Sequence, residues 1–245
     1  MLAAGLLAAS APCHGYCWKP RPGLRWNYVL RTAPDLGMRA GMYDIDGFDT
    51  ARRIVRRIHA KQRRAVCYLD AGTWERWRPD AGRFPKKVLG KGNGWPGERW
   101  LDIRTHALRP ILRDRLGLCR RKGFDAVEFD NVDGYTTNTG FPLTAADQLR
   151  FNAWLANAAH RRGLTAGLKN DLGQVRMLVR YFDFAVNEQC FQYRECNRLR
   201  PFIRAGKAVF NVEYRRQPRF CARAKALRFS AIRKGRLLGN RVAFC

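Results

Sequence analysis

This chain of 245 residues is poor in the residues and patterns on which several enzyme classes depend. It has two serines, Ser10 and Ser230, and neither stands in a Gly-x-Ser-x-Gly elbow, so a serine triad of that type is excluded. No Gly-x-x-x-x-Gly-Lys loop occurs, which argues against a bound nucleotide. The four histidines are scattered and no Cys-x-x-Cys pair exists, so the spacing of zinc ligands is absent. We therefore predict no metal and no cofactor.

Long apolar runs are also missing. No stretch of about 18 or more apolar residues exists, so we expect no integral membrane segment. The first eleven residues are nevertheless small and apolar, and Ala9-Ser10-Ala11 resembles a signal-peptidase site. Because a basic region before them is lacking, residues 1–15 are interpreted as a signal peptide that is truncated or whose start codon is placed too far downstream. The prediction is a secreted, extracellular protein.

Eight cysteines agree with export, since disulfides form in oxidising compartments. Two pairs lie close enough in sequence to be candidates for local disulfides: Cys190/Cys196 and Cys221/Cys245. Cys67 lies in a predicted strand and is interpreted as an inert buried thiol. The sequence leaves the full connectivity open.

The charge is strongly unbalanced, with 47 Lys and Arg against 20 Asp and Glu and a net charge of +27. A basic surface attracts phosphates, so a binder of nucleic acid or of another anionic polymer is one function to weigh. However, Arg52, Arg53, Arg56 and Arg57 flank apolar residues at helical spacing, which is typical of the solvated face of an amphipathic helix. We therefore predict no nucleic-acid partner.

Eleven of the 20 acids are distributed differently from the bases, because they fall at or just after the ends of predicted strands. They are Asp44, Asp46, Asp49, Asp70, Glu75, Glu128, Asp130, Asp133, Asp171, Glu188 and Glu213. This pattern predicts an acidic mouth in a basic shell.

Apolar or β-rich runs recur along the chain with helical patterns between them. The eight predicted strands are 25–30, 41–45, 65–69, 126–129, 165–169, 182–186, 208–212 and 227–232, and the clearest helices are 50–62, 107–122, 144–162 and 174–180. Alternating strands and helices indicate parallel βαβ units, and eight of them predict an α/β fold with a single (β/α)₈ TIM barrel. Residues 74–100 are predicted to form a long loop after the third strand.

The most informative segment is Glu128-Phe129-Asp130-Asn131-Val132-Asp133-Gly134-Tyr135, which places three carboxylates at the end of an apolar strand. A second strand ends in Asn187-Glu188, and others end in Lys169-Asn170 and Glu213-Tyr214. Active sites of this barrel type lie at the carboxyl ends of the strands, where these side chains converge. Carboxylates combined with aromatic residues are typical of glycoside hydrolysis, in which one acid protonates the leaving oxygen and the other attacks or activates water.

Several segments, in this order, strongly resemble glycoside-hydrolase family 114. They are Tyr43-Asp44-Ile45-Asp46, Ala71-Gly72-Thr73-Trp74-Glu75, Trp100-Leu101-Asp102-Ile103-Arg104, Glu128 to Tyr135, Gly167-Leu168-Lys169-Asn170-Asp171 and Asn187-Glu188-Gln189-Cys190. The resemblance spans roughly residues 16 to 234, and residues 16–245 are predicted to form the catalytic domain. It implies a TIM barrel with the activity of an endo-α-1,4-polygalactosaminidase that degrades galactosamine-containing exopolysaccharide.

The resemblance also implies roles for individual residues. Asp130 and Glu188 occupy the positions of the catalytic pair, with Asp130 as nucleophile and Glu188 as acid/base. Ten further residues are predicted to contact an amino-sugar polysaccharide: Asp46, Asp70, Trp74, Asp133, Tyr135, Lys169, Asn170, Asn187, Glu213 and Tyr214. We expect a monomer.

Plainer interpretations stand beside these. Lys169 has an alternative role as the partner of Glu188 in a buried ion pair, and Asp49 is interpreted as the cap of the helix that begins at Thr50. Three tryptophans, Trp77, Trp95 and Trp100, are interpreted as the core of the long loop. A non-catalytic carbohydrate-binding barrel remains the alternative function, followed by the binder of anionic polymers.

Overall fold

A computed structural model describes residues 12–13, 17–215 and 219–245 of the chain. The strands are Trp26–Val29 (β1), Met42–Asp46 (β2), Arg64–Asp70 (β3), Thr73–Glu75 (β4), Leu89–Gly92 (β5), Glu98–Leu101 (β6), Ala126–Asp130 (β7), Thr165–Lys169 (β8), Phe184–Glu188 (β9), Ala208–Glu213 (β10), Ser230–Arg233 (β11) and Ala243–Phe244 (β12). The α-helices are Arg52–Ala60 (α1), Leu108–Lys122 (α2), Ala145–His160 (α3), Val175–Leu178 (α4), Arg200–Arg204 (α5) and Phe220–Ala226 (α6). The predicted signal peptide lies almost wholly outside the described residues.

Eight of the strands form one curled parallel sheet in the order β1-β2-β3-β7-β8-β9-β10-β11, and β12 adds to β11 in the antiparallel direction. β1 lies beside β11, where the Trp26 indole donates a hydrogen bond of 2.7 Å to the Ser230 carbonyl. All eight predicted strands are present, and the predicted (β/α)₈ barrel is confirmed.

The alternation of side chains along the strands divides the core into two layers. Residues such as Trp26, Val66 and Phe210 fill the barrel interior, and Trp26 and Phe210 pack with ring centroids 5.3 Å apart. The alternate strand residues face outward and pack against the helices, as Cys67 and Val127 do. Apolar side chains thus fill the lower barrel and leave its upper layer to polar groups.

The helices follow the sequence patterns at four of six positions. A capping box begins α3, because the Thr144 hydroxyl accepts the Asp147 N–H while the Asp147 carboxylate accepts the Thr144 N–H. The predicted cap of α1 is wrong: the helix is preceded by Ala51 without a side-chain cap, and 79% of the Asp49 side chain is exposed. The short helices α5 and α6 were not predicted. Of the helices in the described ranges, none has the length and apolar character that crossing a bilayer demands.

The predicted loop after β3 contains a small antiparallel sheet in the order β4-β6-β5. Its residues Gly92 to Gly97 have the glycine spacing of a dinucleotide-binding turn, but they join two antiparallel strands rather than a strand to a helix. The insertion follows the carboxyl end of β3 directly, and it therefore stands at the end of the barrel where the acids gather.

Four disulfides tie the described chain together: Cys13–Cys17, Cys67–Cys119, Cys190–Cys196 and Cys221–Cys245. Both predicted pairs are confirmed. The interpretation of Cys67 as a free thiol is wrong, because its outward-facing side chain on β3 meets Cys119 on α2. Helical periodicity alone did not reveal which face of α2 packs on that strand.

Of the four disulfides in the described residues, Cys67–Cys119 has the largest sequence separation, 52 residues. It is therefore expected to contribute most to stability. Chain-entropy arithmetic predicts a loss of about 4 kcal/mol for the Cys67→Ala/Cys119→Ala variant. The matched control, Cys190→Ala/Cys196→Ala, opens a separation of 6 residues, for which the same arithmetic gives about 2 kcal/mol. Urea unfolding of both variants measures the difference, and equal losses would contradict the ranking.

Candidate active site

A cavity of about 590 Å³ opens at the carboxyl ends of the barrel strands. Because parallel strands share this edge, side chains from distant parts of the sequence meet there. Seven of the twelve predicted site residues line it: Asp46, Asp130, Asp133, Lys169, Asn170, Glu188 and Tyr214. The sequence prediction of one acidic mouth therefore agrees with the geometry.

Lys169, the last residue of β8, lies at the centre of the cavity floor and is 2% exposed. Its Nζ lies 3.2 Å from Asp130 Oδ1, 3.1 Å from Glu128 Oε1 and 3.7 Å from Glu188 Oε2. Burial alone would lower the pKa of Lys169, but the attraction of these carboxylates outweighs it and raises the pKa well above the usual value. The lysine is therefore a fixed positive charge that three strands share.

Asp130 ends β7 and is held from two sides. The Tyr68 hydroxyl donates a 2.8 Å hydrogen bond to Oδ2, and the N–H of Asn131 donates one of 2.9 Å to Oδ1. Asn131 has a positive φ of 57°, and a Cβ on Gly72 would lie 1.6 Å from its carbonyl oxygen. Only glycine fits at position 72, so the turn that orients Asp130 depends on this close backbone approach.

Glu188 ends β9 and has more solvent contact than Asp130, with side chains exposed by 29% and 19%. The Tyr214 hydroxyl donates a hydrogen bond to Glu188 Oε1. The N–H of Glu188 donates a 3.0 Å bond to the side-chain oxygen of Asn170, which also accepts one from Asn187. Asn170 thus fixes the backbone from which Glu188 projects.

A second group of acids lines one wall together with a buried arginine. The Arg78 guanidinium forms ion pairs of 2.7 Å with both Asp46 and Glu75. Burial raises the pKa of Glu75, although Arg78 opposes the rise. Asp46 also accepts the N–H groups of Phe48 and Asp49, so its charge is largely satisfied by protein donors.

Two more carboxyls follow β7 and β8: Asp133 lines the cavity, and Asp171 is buried behind it. Burial and the neighbouring charge of Asp130 raise the pKa of Asp133 to about 6. Burial, together with Asp133, raises the pKa of Asp171 to about 8. Asp171 accepts a 2.9 Å hydrogen bond from Asn152 and does not line the cavity. As the pH falls through about 6, Asp133 is therefore protonated and the cavity loses part of its negative charge.

Five predicted contact residues lie outside the cavity lining. Asp70 is buried and accepts from Thr73 and Asn131. The Trp74 indole donates to the Ala81 carbonyl, the Asn187 amide donates to Asn170, and Glu213 accepts the Phe191 N–H. Tyr135 is half-buried beside Asp171. These side chains support the cavity from behind, and strand-end position did not distinguish support from lining.

The sequence analysis missed several lining residues. Tyr28 and Tyr68 point into the upper barrel and bond Glu128 and Asp130, yet their sequence pattern resembles ordinary core aromatics. Trp77 and Trp95 line the cavity with exposures of 52% and 62%, so the interpretation of both as loop core is wrong. Trp100 is buried as expected. The sequence signal that could have identified Trp95 is its position between Gly94 and Pro96, which is typical of an exposed turn.

Three carboxylates near the wall come close enough together to be tested as a cation site. Oxygens of Asp70, Glu75 and Glu98 lie within 4.8 Å of one another. However, Asp70 accepts from Thr73 and Asn131, Glu75 pairs with Arg78, and Glu98 accepts from Asn93. Protein donors already occupy this cluster, and the expectation that no metal takes part stays a prediction.

Two solved structures share the architecture of this chain. The chain overlays on Aspergillus fumigatus Ega3, solved in complex with galactosamine, with a TM-score of 0.89 and 35% identity over 97% of this chain and 100% of that chain. It overlays on the glycoside hydrolase domain of PelA from Pseudomonas aeruginosa with a TM-score of 0.74, 13% identity, and coverage of 90% and 98%. At that identity, the second likeness shows the fold alone.

Comparison of the sequence alone also finds a relative and a family. An uncharacterised protein of Deinococcus radiodurans is 27% identical over 86% of this chain and 73% of its own length. The family model of glycoside-hydrolase family GH114 matches residues 7–245, which is nearly the whole chain. The chain is therefore a glycoside hydrolase and belongs to family GH114.

Proposed function

We propose that this enzyme cleaves α-1,4-linked galactosamine or N-acetylgalactosamine polysaccharide with Asp130 and Glu188 as its catalytic pair. The observation that carries the proposal is their shared contact with Lys169, which brings two partly exposed carboxylates to one point of a polar cavity. The overlay on Ega3, a protein solved with galactosamine, supports the choice of sugar.

In the proposed reaction, Glu188 donates a proton to the glycosidic oxygen while Asp130 attacks the anomeric carbon. The bond to the leaving sugar breaks, and a covalent bond forms between the sugar and Asp130. Glu188, now a carboxylate, then removes a proton from water, which displaces Asp130 and releases the second product. Lys169, Tyr68 and the Asn131 N–H orient Asp130 throughout these steps.

The outcome at the anomeric carbon follows from the carboxylate spacing. Asp130 Oδ1 and Glu188 Oε2 lie 3.2 Å and 3.7 Å from Lys169 Nζ, which limits the separation of these two oxygens to less than about 7 Å and excludes most of the range of about 6.5–9.5 Å that is typical of inverting enzymes. Separations of about 5–5.5 Å are typical of retaining enzymes. We therefore expect α-configured products at early times, as measured by proton NMR. Initial release of β-anomers would contradict nucleophilic attack by Asp130.

The charge of the cavity suits a cationic sugar. Seven carboxyl groups line it against four basic residues, so the cavity is acidic on balance, whereas the whole chain carries +27. Arg78 pairs with Asp46 and Glu75, which leaves Asp49, Glu98 and Asp133 beside the catalytic acids. Short-range attraction to these acids favours an ammonium group once it has entered, and the basic shell slows its approach at low salt, where screening is weak. Association should therefore accelerate as salt rises, which is the opposite of phosphate-driven binding.

The exposed indoles of Trp77 and Trp95 are proposed to hold sugar rings. Cation–π contact between an indole and an ammonium contributes about 0.5–2 kcal/mol, so Trp77→Ala or Trp95→Ala should each lower kcat/KM by roughly 2- to 30-fold. The control is Trp154→Phe, because Trp154 stacks on Phe151 of α3 and does not line the cavity. Unchanged kinetics in both alanine variants would remove these tryptophans from the binding site.

The cellular setting is part of the proposal. We propose that the enzyme is secreted, that residues 1–15 are a signal peptide and that residues 16–245 act as a monomer on exopolysaccharide. The disulfides and the family membership support an extracellular site of action. Mass spectrometry of the mature N-terminus and light scattering of the purified protein test these points.

The deciding experiment is product release from partially deacetylated α-1,4-galactosamine polymer, compared with its fully acetylated form. Oligosaccharides of several lengths at early times are the expected result and indicate cleavage within the chain. A polymer that is retained but not cleaved would leave a carbohydrate-binding barrel as the function. Cleavage of a different glycan alone would refute the substrate and keep the mechanism.

A further inference from the structure

We propose that Asp44 and Glu128, beneath the catalytic pair, share one proton and carry a single negative charge, and that this pair positions Lys169 and tunes the protonation of Asp130 and Glu188. Asp44 and Glu128 are thus positioning residues rather than catalytic ones. The inference rests on the proposed roles of Asp130 and Glu188.

Asp44 is buried without a hydrogen-bond donor within the described part of the chain. It lies in the middle of β2, points into the barrel and is completely buried. Neither of its carboxyl oxygens accepts a hydrogen bond from any N–H or O–H group among the described residues. An ionised carboxylate buried without donors costs several kcal/mol, so an explanation is needed for its presence in the barrel interior.

Glu128 supplies the explanation. It is also completely buried, and its Oε1 accepts a 3.1 Å hydrogen bond from the Tyr28 hydroxyl and forms a 3.1 Å ion pair with Lys169 Nζ. Its Oε2 has no donor, and the side chains of Glu128 and Asp44 lie within hydrogen-bonding reach of each other. Two carboxyls in such contact hold together only when a proton lies between them. One shared proton satisfies oxygens of both residues.

The environment places that proton on Asp44. Burial raises the pKa of Asp44 well above its usual value, and the charge of Glu128 raises it further. Burial also raises the pKa of Glu128, but the positive charge of Lys169 opposes the rise. Glu128 therefore keeps the negative charge while Asp44 donates to it. This arrangement agrees with the contacts, since only Glu128 touches the ammonium group.

Five polar groups from the neighbouring strands surround the pair and Lys169. These groups are Tyr28 on β1, Tyr68 on β3, Asp130 on β7, Glu188 on β9 and Tyr214 after β10. Lys169, on β8, is the one cation among these side chains, and the single charge of the Asp44–Glu128 pair partly neutralises it. The remaining positive field acts on Asp130 and Glu188, and the pair thereby limits how strongly their ionised forms are favoured.

The pH dependence of kcat/KM tests the charge count with two amide substitutions. Asp44→Asn replaces a neutral donor by another neutral donor, so both limbs of the profile should move by less than about 0.2 pH unit. Glu128→Gln removes the charge, so both limbs should move toward acid by about one unit. A shift in Asp44→Asn equal to that in Glu128→Gln would show that Asp44 is ionised and would overturn the proposal. An unmoved profile in Glu128→Gln would overturn the tuning.

Infrared spectroscopy gives a readout that needs neither substrate nor the Glu128 variant. At neutral pH, the wild type minus Asp44→Asn difference spectrum should contain the carbonyl band of a protonated carboxylic acid. A carboxylate band in its place would refute the shared proton. A wild type that is inert on every amino-sugar polymer would refute the proposed function, and the infrared result would still decide the state of Asp44.

Discussion

Asp130→Asn and Glu188→Gln are expected to abolish hydrolysis while leaving the fold intact. Loss of the acid/base Glu188 should lower kcat by about 10²–10⁴-fold, and loss of the nucleophile Asp130 by on the order of 10⁴-fold or more. Both side chains are partly exposed, so an amide of the same size fits with little structural cost. Steady-state rates on α-1,4-galactosamine polymer, with circular dichroism of each variant, measure the effect.

The two roles separate when the leaving group is varied. An activated aryl glycoside needs no proton on departure, so Glu188→Gln should recover much of its first step, whereas Asp130→Asn should not. Asp114→Asn is the matched control, because Asp114 lies on α2 outside the cavity and its side chain is 63% exposed and pairs with Arg83. Activity within tenfold of the wild type in Asp130→Asn would remove it from the mechanism, and equal behaviour on the aryl glycoside would contradict the division of roles.

Lys169→Met is expected to have the largest effect on stability in the site. Methionine leaves the buried carboxylate of Glu128 and the partly exposed carboxylates of Asp130 and Glu188 without their common cation. Breaking a buried ion pair by removing one partner costs about 3–5 kcal/mol. Urea unfolding near neutral pH should show a loss in this range, and hydrolysis should fall as well, because the carboxylates are driven toward their protonated forms.

A second substitution tests whether charge is the cause. The Lys169→Met/Glu128→Gln variant removes one charge of each sign, so it should be more stable than Lys169→Met alone. If packing of the lysine stem were the cause, the second change would only add damage. A single variant as stable as the wild type would show that Lys169 does not compensate these acids.

Much of the fold could be predicted because one rule governs it. Apolar strands that alternate with amphipathic helices allow few arrangements, so all eight barrel strands were found. The small sheet in residues 73–101 was missed because its strands are three or four residues long and lie among Gly and Pro. Helices α5 and α6, with five and seven residues, span no more than about two turns each. Short elements carry too little periodicity to be distinguished from loops.

The site was predictable along each strand but not between strands. Asp130, Lys169 and Glu188 could be predicted because each is a charged residue at the end of an apolar strand, β7, β8 and β9 respectively. Tyr28 and Tyr68 stand one layer lower, and their bonds to acids of other strands depend on the register around the barrel. The same is true of the contact between Asp44 and Glu128. Such relations cross more than fifty residues of sequence and appear only after the barrel forms.

The seam between β11 and β1 gives this barrel an uneven tolerance to sequence change. Seven neighbouring strand pairs are joined by backbone ladders, whose donors and acceptors do not depend on the side chains. Within the described ranges no ladder joins β11 to β1, and side chains bridge them instead, as Lys234 does with Asn27. Substitutions that leave the backbone ladders intact can still remove the side-chain contacts between β11 and β1. During evolution, closure of the barrel therefore depends on a few individual side chains at this seam.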